Sequence, residues 1–205
     1  MLGTIPEGAA WAIFFLPLAS LATIILLPKS QARAAGYVTI AAIGAAFLLS
    51  LWALDSLIQS DGETLGFPSR EWLAFGPLQI DVGLTVDGLT GIMLVVVTSV
   101  SLLVQVYSQG YMASDGGYMR YYAFMSLFTA SMLGLVLAGN LVLTYVFWEL
   151  VGLCSYLLIG FWFHRPAAAA AAKKAFLVTR LGDLGFLLAI ILIYTKAGTF
   201  DITTL

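Results

Sequence analysis

Charged side chains are scarce in this sequence, because Lys, Arg, Asp and Glu together make up only 10% of its 205 residues. Soluble domains carry about 25% charged residues, so this composition excludes an ordinary soluble domain. Basic residues are too few and too scattered for a nucleic-acid-binding surface, and we expect no nucleic-acid partner. The hydrophobic fraction of 61% indicates a protein whose main surroundings are the lipid bilayer.

Side chains that bind metals or redox cofactors are equally rare. The sequence has one histidine, His164, and one cysteine, Cys154. One cysteine forms neither an internal disulfide nor a thiolate cluster, and one histidine cannot supply a bis-histidine haem site. The sequence also shows no glycine-rich phosphate loop and no nucleophile–base arrangement. We therefore expect no catalytic residue, no metal and no bound cofactor in this chain, and we interpret Cys154 as a small packed helix residue.

Long apolar runs occupy most of the chain. A transmembrane helix needs about 20 predominantly apolar residues. The candidate spans are 9–27, 36–58, 88–107, 120–138, 141–163 and 168–194. The first follows Glu7 rather than a basic stretch, so we interpret it as a retained helix and not as a signal peptide. The predicted fold is an all-α membrane protein, a bundle of about six transmembrane helices.

The connection between the second and third spans, residues 59–87, is rich in glycine and proline and is not helical. Within it, the segments EWLAF and LQIDVGLTV partly alternate and flank a Gly-Pro pair. This pattern predicts a small β-hairpin, which we place on the membrane surface. Elsewhere, Gly139 and Asn140 predict a tight turn, and Pro166 is expected to end the fifth helix and to suit the first turn of the sixth.

Loop charges predict the orientation of the bundle. One face of the membrane receives the basic residues Lys29, Arg33, Arg120, Arg165, Lys173 and Lys174. The opposite face receives only Arg70 and Lys196, together with most of the acidic residues. By the positive-inside rule, we expect both termini on the periplasmic side of a bacterial plasma membrane.

Three ionisable residues, Glu149, Arg180 and Asp183, remain inside the spans, and Lys174 lies at their inner boundary. Glu149 lies eight residues into the fifth span, at a depth of about 12 Å. Charged residues at such depth cost about 2.5–3.5 kcal/mol each and usually face the bundle interior with partners. Arg180 and Asp183 are three positions apart and can pair on one helix face.

Each of these residues has a structural and a functional interpretation. The Arg180–Asp183 pair would either only hold helices together or take part in transport, and Lys174 would either extend to the interface or act with them. Glu149 has no basic residue within four positions. It therefore takes a partner from another helix, or stays protonated as a hydrogen-bond donor or as a relay group. Gly152, Gly160 and the alanine run 167–172 favour close helix packing beside it.

Three segments carry a family resemblance: LTYVFWELVGLCSYLLIGFWF, KKAFLVTRLGDLGFLLA and VDGLTGIMLVVVTSVSLLVQVYSQGYM. They resemble the proton-translocating antiporter-like subunit of respiratory complex I, called L in bacterial NADH-quinone oxidoreductase and chain 5 in mitochondria. The resemblance runs from about residue 80 to 200 and is weaker through the first two helices.

The resemblance implies a role in proton translocation. Glu149 matches a family glutamate of the proton half-channel, and Lys174, Arg180 and Asp183 match charged positions on the sixth helix. It also implies that NADH, flavin, iron–sulfur clusters and quinone bind to other subunits, and that neighbouring antiporter-like membrane subunits are the partners.

The family's chain is much longer than this one. We expect residues 1–205 to form a single transmembrane domain, the N-terminal portion of a longer antiporter-like fold. The family lysine that pairs with the fifth-helix glutamate lies on a seventh helix, so we do not expect transport by this chain alone. Two alternatives stay open: a subunit of a multisubunit sodium/proton antiporter, and a structural fragment without transport activity.

Overall fold

The computed structural model describes residues 4–60, 64–68, 70–75, 78–202 and 204–205. The elements, in chain order, are α1 (Glu7–Leu26), a short 3-10 turn (Lys29–Gln31), α2 (Ala32–Gln59), β1 (Leu65–Gly66), β2 (Arg70–Phe75), β3 (Leu78–Val82), β4 (Thr85–Val86), α3 (Gly88–Tyr111), α4 (Tyr118–Leu137), α5 (Leu141–Ile159) and α6 (Pro166–Ala197). Within the described residues, six helices are long and apolar enough to cross a membrane. The predicted all-α membrane fold is confirmed.

One difference from the predicted bounds lies between α5 and α6. The fifth span was expected to reach residue 163, but α5 ends at Ile159. Gly160 caps it by donating its backbone N–H to the carbonyl of Tyr156 at 3.0 Å. The chain then turns before Pro166, which begins α6 as predicted. At 32 residues, α6 is about 48 Å long, which exceeds the hydrocarbon core of a bilayer.

The described chain divides into two compact units, each with its own contacts. The first comprises Met1–Leu65 and Val86–Leu133. In it, α2 packs against both α1 and α3. Its buried helix positions include the small residues Ala10, Ala35 and Ala46, which let helix backbones approach closely.

Asp87 begins α3 as its N-cap residue. Its carboxylate accepts the backbone N–H of Thr90 at 2.7 Å, which satisfies one of the unpaired donors of the first turn. This hydrogen bond, supported by the Thr90 hydroxyl, lowers the pKa of Asp87 below its ordinary value of 3.8. The start of the third helix is thus fixed by a charge-assisted cap.

The second unit comprises Gly66–Thr85 and Gly134–Leu205. It contains the predicted β-hairpin, in which β2 and β3 pair antiparallel. Arg70 lies opposite Val82, and Phe75 lies opposite Leu78. An irregularity between Glu71 and Leu73 interrupts the register, as a β-bulge does.

The turn between α4 and α5 is held by extended segments on both sides, and we call this arrangement the α4–α5 clamp (residues 84, 138–140 and 200–202). Leu84 forms an antiparallel bridge with Ala138, and Asn140 forms one with Asp201. The Leu141 N–H donates to the carbonyl of Phe200 at 2.9 Å. The Asn140 side chain also caps α5, accepting the N–H of Leu143 at 2.8 Å.

Helices α5 and α6 form an antiparallel pair within the second unit. Near the turn between them, a Cβ placed on Gly160 would lie 3.1 Å from the Cβ of Ala172. Farther along, the rings of Tyr156 and Phe176 are 5.3 Å apart, and those of Tyr145 and Phe186 are 5.8 Å apart. The predicted small-residue contact is therefore present near the turn that joins the two helices.

Candidate functional site

Glu149 lies in the middle of α5, eight residues after the helix begins at Leu141. A rise of about 1.5 Å per residue places it about 12 Å along the helix. The surrounding positions of α5 are apolar, so the carboxylate takes its charged partner from α6. The antiparallel register brings Arg180 of α6 to this level.

Arg180 contacts two carboxylates and one carbonyl. It forms an ion pair with the Glu149 side chain. Its Nη1 lies 3.2 Å from Oδ2 of Asp183 on the same helix, which is the predicted pair three positions apart. Its Nη2 donates to the backbone carbonyl of Glu149 at 3.0 Å. A planar guanidinium with five donors suits such a shared position better than an ammonium.

Trp148 completes the site from α5. Its indole Nε1–H donates to Oδ1 of Asp183 at 2.8 Å, so both carboxylate oxygens of Asp183 accept a hydrogen bond. Asp183 is buried, with 6% of its surface exposed. We call Trp148, Glu149, Arg180 and Asp183 the charge cluster.

Space for the guanidinium comes from Gly152, one turn beyond Trp148. A Cβ at position 152 would lie 3.2 Å from Nη2 of Arg180, a tight contact for any larger residue. The Cζ of Arg180 also lies 4.7 Å from the ring centroid of Phe176, a cation–π distance. Within the described part of the chain, the Nε of Arg180 is buried without a hydrogen-bond partner.

Lys174, the fourth predicted site residue, lies outside the charge cluster. It precedes Arg180 by six positions, which a helix of 3.6 residues per turn converts to a rotation of about 240°. Its side chain is exposed on a different face of α6. The participation of Lys174 in a relay stays a prediction.

Two residues that contact the charged side chains of the cluster, Trp148 and Gly152, were not predicted from the sequence to be their partners. An indole N–H at membrane depth needs an acceptor, which was a usable signal for Trp148. Across the described residues, no group of three or more His, Cys, Asp and Glu side chains is placed to hold a metal ion.

Two family profiles match this chain. Residues 72–122 match the profile described as NADH-ubiquinone oxidoreductase (complex I), chain 5 N-terminus. Residues 138–205 match the profile described as NADH:quinone oxidoreductase/Mrp antiporter, transmembrane. The second match contains α5, α6 and therefore the whole charge cluster.

Curated relatives and a solved structure agree with these profiles. NAD(P)H-quinone oxidoreductase chain 5 of Synechocystis sp. is 47% identical over 96% of this chain and 30% of its own length. The chloroplastic subunit 5 of Chlorokybus atmophyticus is 56% identical over 66% of this chain and 21% of its own length. A chain of the Mrp complex from Dietzia sp. DQ12-45-1b is 30% identical, with a TM-score of 0.74 over 95% of this chain and 20% of that one.

A further structural match shows the fold alone. A chain of the membrane-bound sulfane sulfur reductase, an archaeal respiratory membrane complex, has a TM-score of 0.76 but only 19% identity, over 94% of this chain and 38% of that one. The chain spans about 30% of the length of the Synechocystis relative. The similarity covers the first two helices as well, because that alignment includes 96% of the chain.

Proposed function

Because the chain belongs to the antiporter-like family of complex I chain 5 and Mrp subunits, we propose that it acts in a membrane-embedded NADH-quinone oxidoreductase as a proton-translocating part. The 47% identity to a chain 5 over nearly the whole sequence supports this assignment. The NADH, flavin, iron–sulfur clusters and quinone are then bound by other subunits, and adjacent membrane subunits are its partners. We place it in a bacterial plasma membrane with periplasmic termini, on the distribution of loop charges.

The observation that carries the proposal is the charge balance of the charge cluster. Two carboxylates, Glu149 and Asp183, share one guanidinium, so the fully ionised cluster has a net charge of −1. An unbalanced charge at membrane depth is costly, whereas one added proton makes the cluster neutral. The cluster therefore favours binding a single exchangeable proton.

We assign that proton to Glu149 rather than to Asp183. Asp183 is 8% exposed at its side chain and has hydrogen bonds to both oxygens, whereas the Glu149 side chain is 26% exposed. When Glu149 takes up a proton, an O–H bond forms and Arg180 keeps Asp183 and the Glu149 carbonyl as partners. When the proton leaves to water or to the next acceptor, the Glu149–Arg180 ion pair forms again. Arg180 stays charged throughout and acts as a positioning residue.

The test is Glu149→Gln in the intact oxidoreductase, reconstituted in proteoliposomes. We measure proton uptake with a pH-sensitive dye and normalise it to NADH oxidation in the same vesicles. We expect fewer protons per NADH oxidised, because glutamine has the shape of the protonated side chain but no exchangeable carboxyl proton. Glu149→Asp should restore part of the loss.

The matched control is Asp55→Asn, which removes an exposed carboxylate near the end of α2, where it accepts from Gln59. It should leave the proton yield unchanged. Assembly is followed by native gel electrophoresis. If Glu149→Gln assembles normally and pumps at the full yield, Glu149 is not the relay group and the cluster is structural.

The Mrp match supports a second candidate, a subunit of a cation/proton antiporter complex. The transmembrane profile covers both groups, and a chain of the Dietzia Mrp complex shares the fold at 30% identity. An imposed sodium gradient distinguishes the antiporter subunit from the oxidoreductase subunit. A change in the signal of the pH-sensitive dye on adding sodium without NADH favours sodium/proton exchange, whereas a change only on adding NADH favours the oxidoreductase.

A further inference from the structure

Trp148 joins α5 to a buried carboxylate on α6. Its indole Nε1 lies 2.8 Å from Oδ1 of Asp183 and donates to it. The other oxygen of this carboxylate, Oδ2, accepts from Nη1 of Arg180 at 3.2 Å. Asp183 thus receives one hydrogen bond from each helix of the pair.

Both donors have the same chemical limitation. An indole N–H and a guanidinium donate hydrogen bonds but cannot accept them. If Asp183 took up a proton on Oδ1, its O–H would face the indole N–H, and on Oδ2 it would face the guanidinium. Either position replaces a satisfied hydrogen bond with two opposed donors, which is costly at a buried group. The two contacts therefore favour the ionised form of Asp183.

Aromatic packing restricts the indole to the orientation that this contact needs. The rings of Trp148 and Phe186 meet edge to face, with centroids 6.0 Å apart and planes at 70°. Phe186 follows Asp183 by three positions and therefore lies on the same face of α6. Tyr145, three positions before Trp148 on α5, also packs against Phe186, with ring centroids 5.8 Å apart. The outer part of the indole is exposed, but its N–H is directed at Asp183.

We propose that Trp148 is a positioning residue: its N–H keeps Asp183 ionised, so that the single exchangeable proton of the charge cluster stays on Glu149. This inference rests on the proton relay proposed above. Asp183 is then the permanent anionic partner of Arg180, and it holds the guanidinium in place while Glu149 is protonated. Trp148 itself neither gains nor loses a proton. Consecutive residues of α5 thus have complementary parts, because one holds the fixed charge and the other carries the proton.

The test variant is Trp148→Phe, which keeps an aromatic ring beside Phe186 and removes the donor. Protonated carboxyl groups are observed by infrared spectroscopy of the intact oxidoreductase in membranes, through their C=O stretching band. A band that is lost in Glu149→Gln or in Asp183→Asn belongs to the charge cluster. Labelling the side-chain carboxyl carbon of aspartate with ¹³C moves aspartic acid bands and leaves glutamic acid bands in place, which shows which of the two acids holds the proton.

In the unmodified protein, we expect no cluster band that moves with the aspartate label. In Trp148→Phe, we expect such a band to appear. The ratio of protonated Asp183 to protonated Glu149 should rise about tenfold or more, because a hydrogen bond to a charged group is worth about that factor. The matched control is Trp162→Phe, the same change in the turn after α5 and outside the charge cluster, and it should leave the ratio unchanged.

A second variant covers the case in which Trp148→Phe does not assemble. Replacing Trp148 by benzothienylalanine, whose ring has sulfur in place of the N–H, should give the same aspartic acid band. The proposal is overturned by a cluster aspartic acid band in the unmodified protein, or by its absence from both variants. The relay through Glu149 is judged separately, because its failure would appear as full proton yield in Glu149→Gln, whatever the aspartic acid band does.

Discussion

Replacing Arg180 with methionine tests the charge cluster most directly. The change keeps most of the side-chain volume and leaves Glu149 and Asp183 facing each other without a cation, which takes the ionised cluster from −1 to −2. Removing one partner of a buried ion pair costs about 3–5 kcal/mol, because the other charge stays buried and unpaired. Arg180 and Glu149 are each about a quarter exposed, so we expect the lower end, about 3 kcal/mol.

Neutralising the two acids should recover most of that loss. Replacing a whole buried ion cluster by apolar side chains of similar volume is often close to neutral in stability. Arg180→Met with Glu149→Gln and Asp183→Asn likewise leaves no buried charge unpaired, so this triple variant should lie within about 1 kcal/mol of the unmodified protein. Glu149→Gln alone leaves the balanced Arg180–Asp183 pair and should have a small effect. The control is Arg165→Met, an exposed arginine over the ring of Trp162, with an expected change of about 0.5 kcal/mol or less.

The assay is equilibrium unfolding in mixed detergent micelles, followed by circular dichroism, with all variants measured side by side. Because the three residues are in contact, their effects should be non-additive by about 2 kcal/mol or more. If Arg180→Met costs no more than Arg165→Met, or if the triple variant is as unstable as the single one, the three charges do not act as a unit.

Two further changes have defined outcomes. Asp87→Ala should cost about 0.5–2 kcal/mol at neutral pH through loss of the N-cap of α3. The pKa of Asp87 in the folded protein is below 3.8, so the stability that its ionised cap contributes is complete above pH 3.8 and is lost as the pH falls through the folded pKa. The difference in free energy of unfolding between Asp87→Ala and the unmodified protein should therefore disappear when unfolding is measured in acid. Gly160→Val should cost about 1–3 kcal/mol of stability by overpacking against Ala172. The control, Gly185→Val, should be tolerated because the space around position 185 is open. Equal losses of stability in the two variants would argue against the close α5–α6 contact.

The spanning helices could be predicted from sequence because twenty apolar residues in succession have few other stable arrangements. The end of α5 could not, because the apolar Phe161 and Trp162 continue the pattern past the cap at Gly160. Apolar content does not distinguish a helix from a turn at the membrane interface. The Gly160 cap, the start of α6 at Pro166 and the close approach of Gly160 to Ala172 together show where the chain reverses.

The unpredicted end of α5 also explains why the partner of Glu149 could not be predicted. Arg180 and Asp183 were paired by spacing within one helix, and Glu149 was expected to take a partner from another helix. The identity of that partner depends on the register of α5 against α6, which depends in turn on the length of the reversal after Ile159. Without that length, the helical periodicity of the sequence could not identify Arg180 as the partner of Glu149. It also could not show that Lys174 lies away from both residues.

The α4–α5 clamp limits how the Glu149 carboxylate can move. The turn before α5 is bridged to Leu84 on one side and to Asp201 on the other, and the Asn140 cap adds a further hydrogen bond. A shift of α5 along its axis by one residue, about 1.5 Å, would break these bonds together. Glu149 is therefore held at a fixed level of the second unit, and in the proposed relay only rotation about its own side-chain bonds would carry a proton from one neighbour to the next.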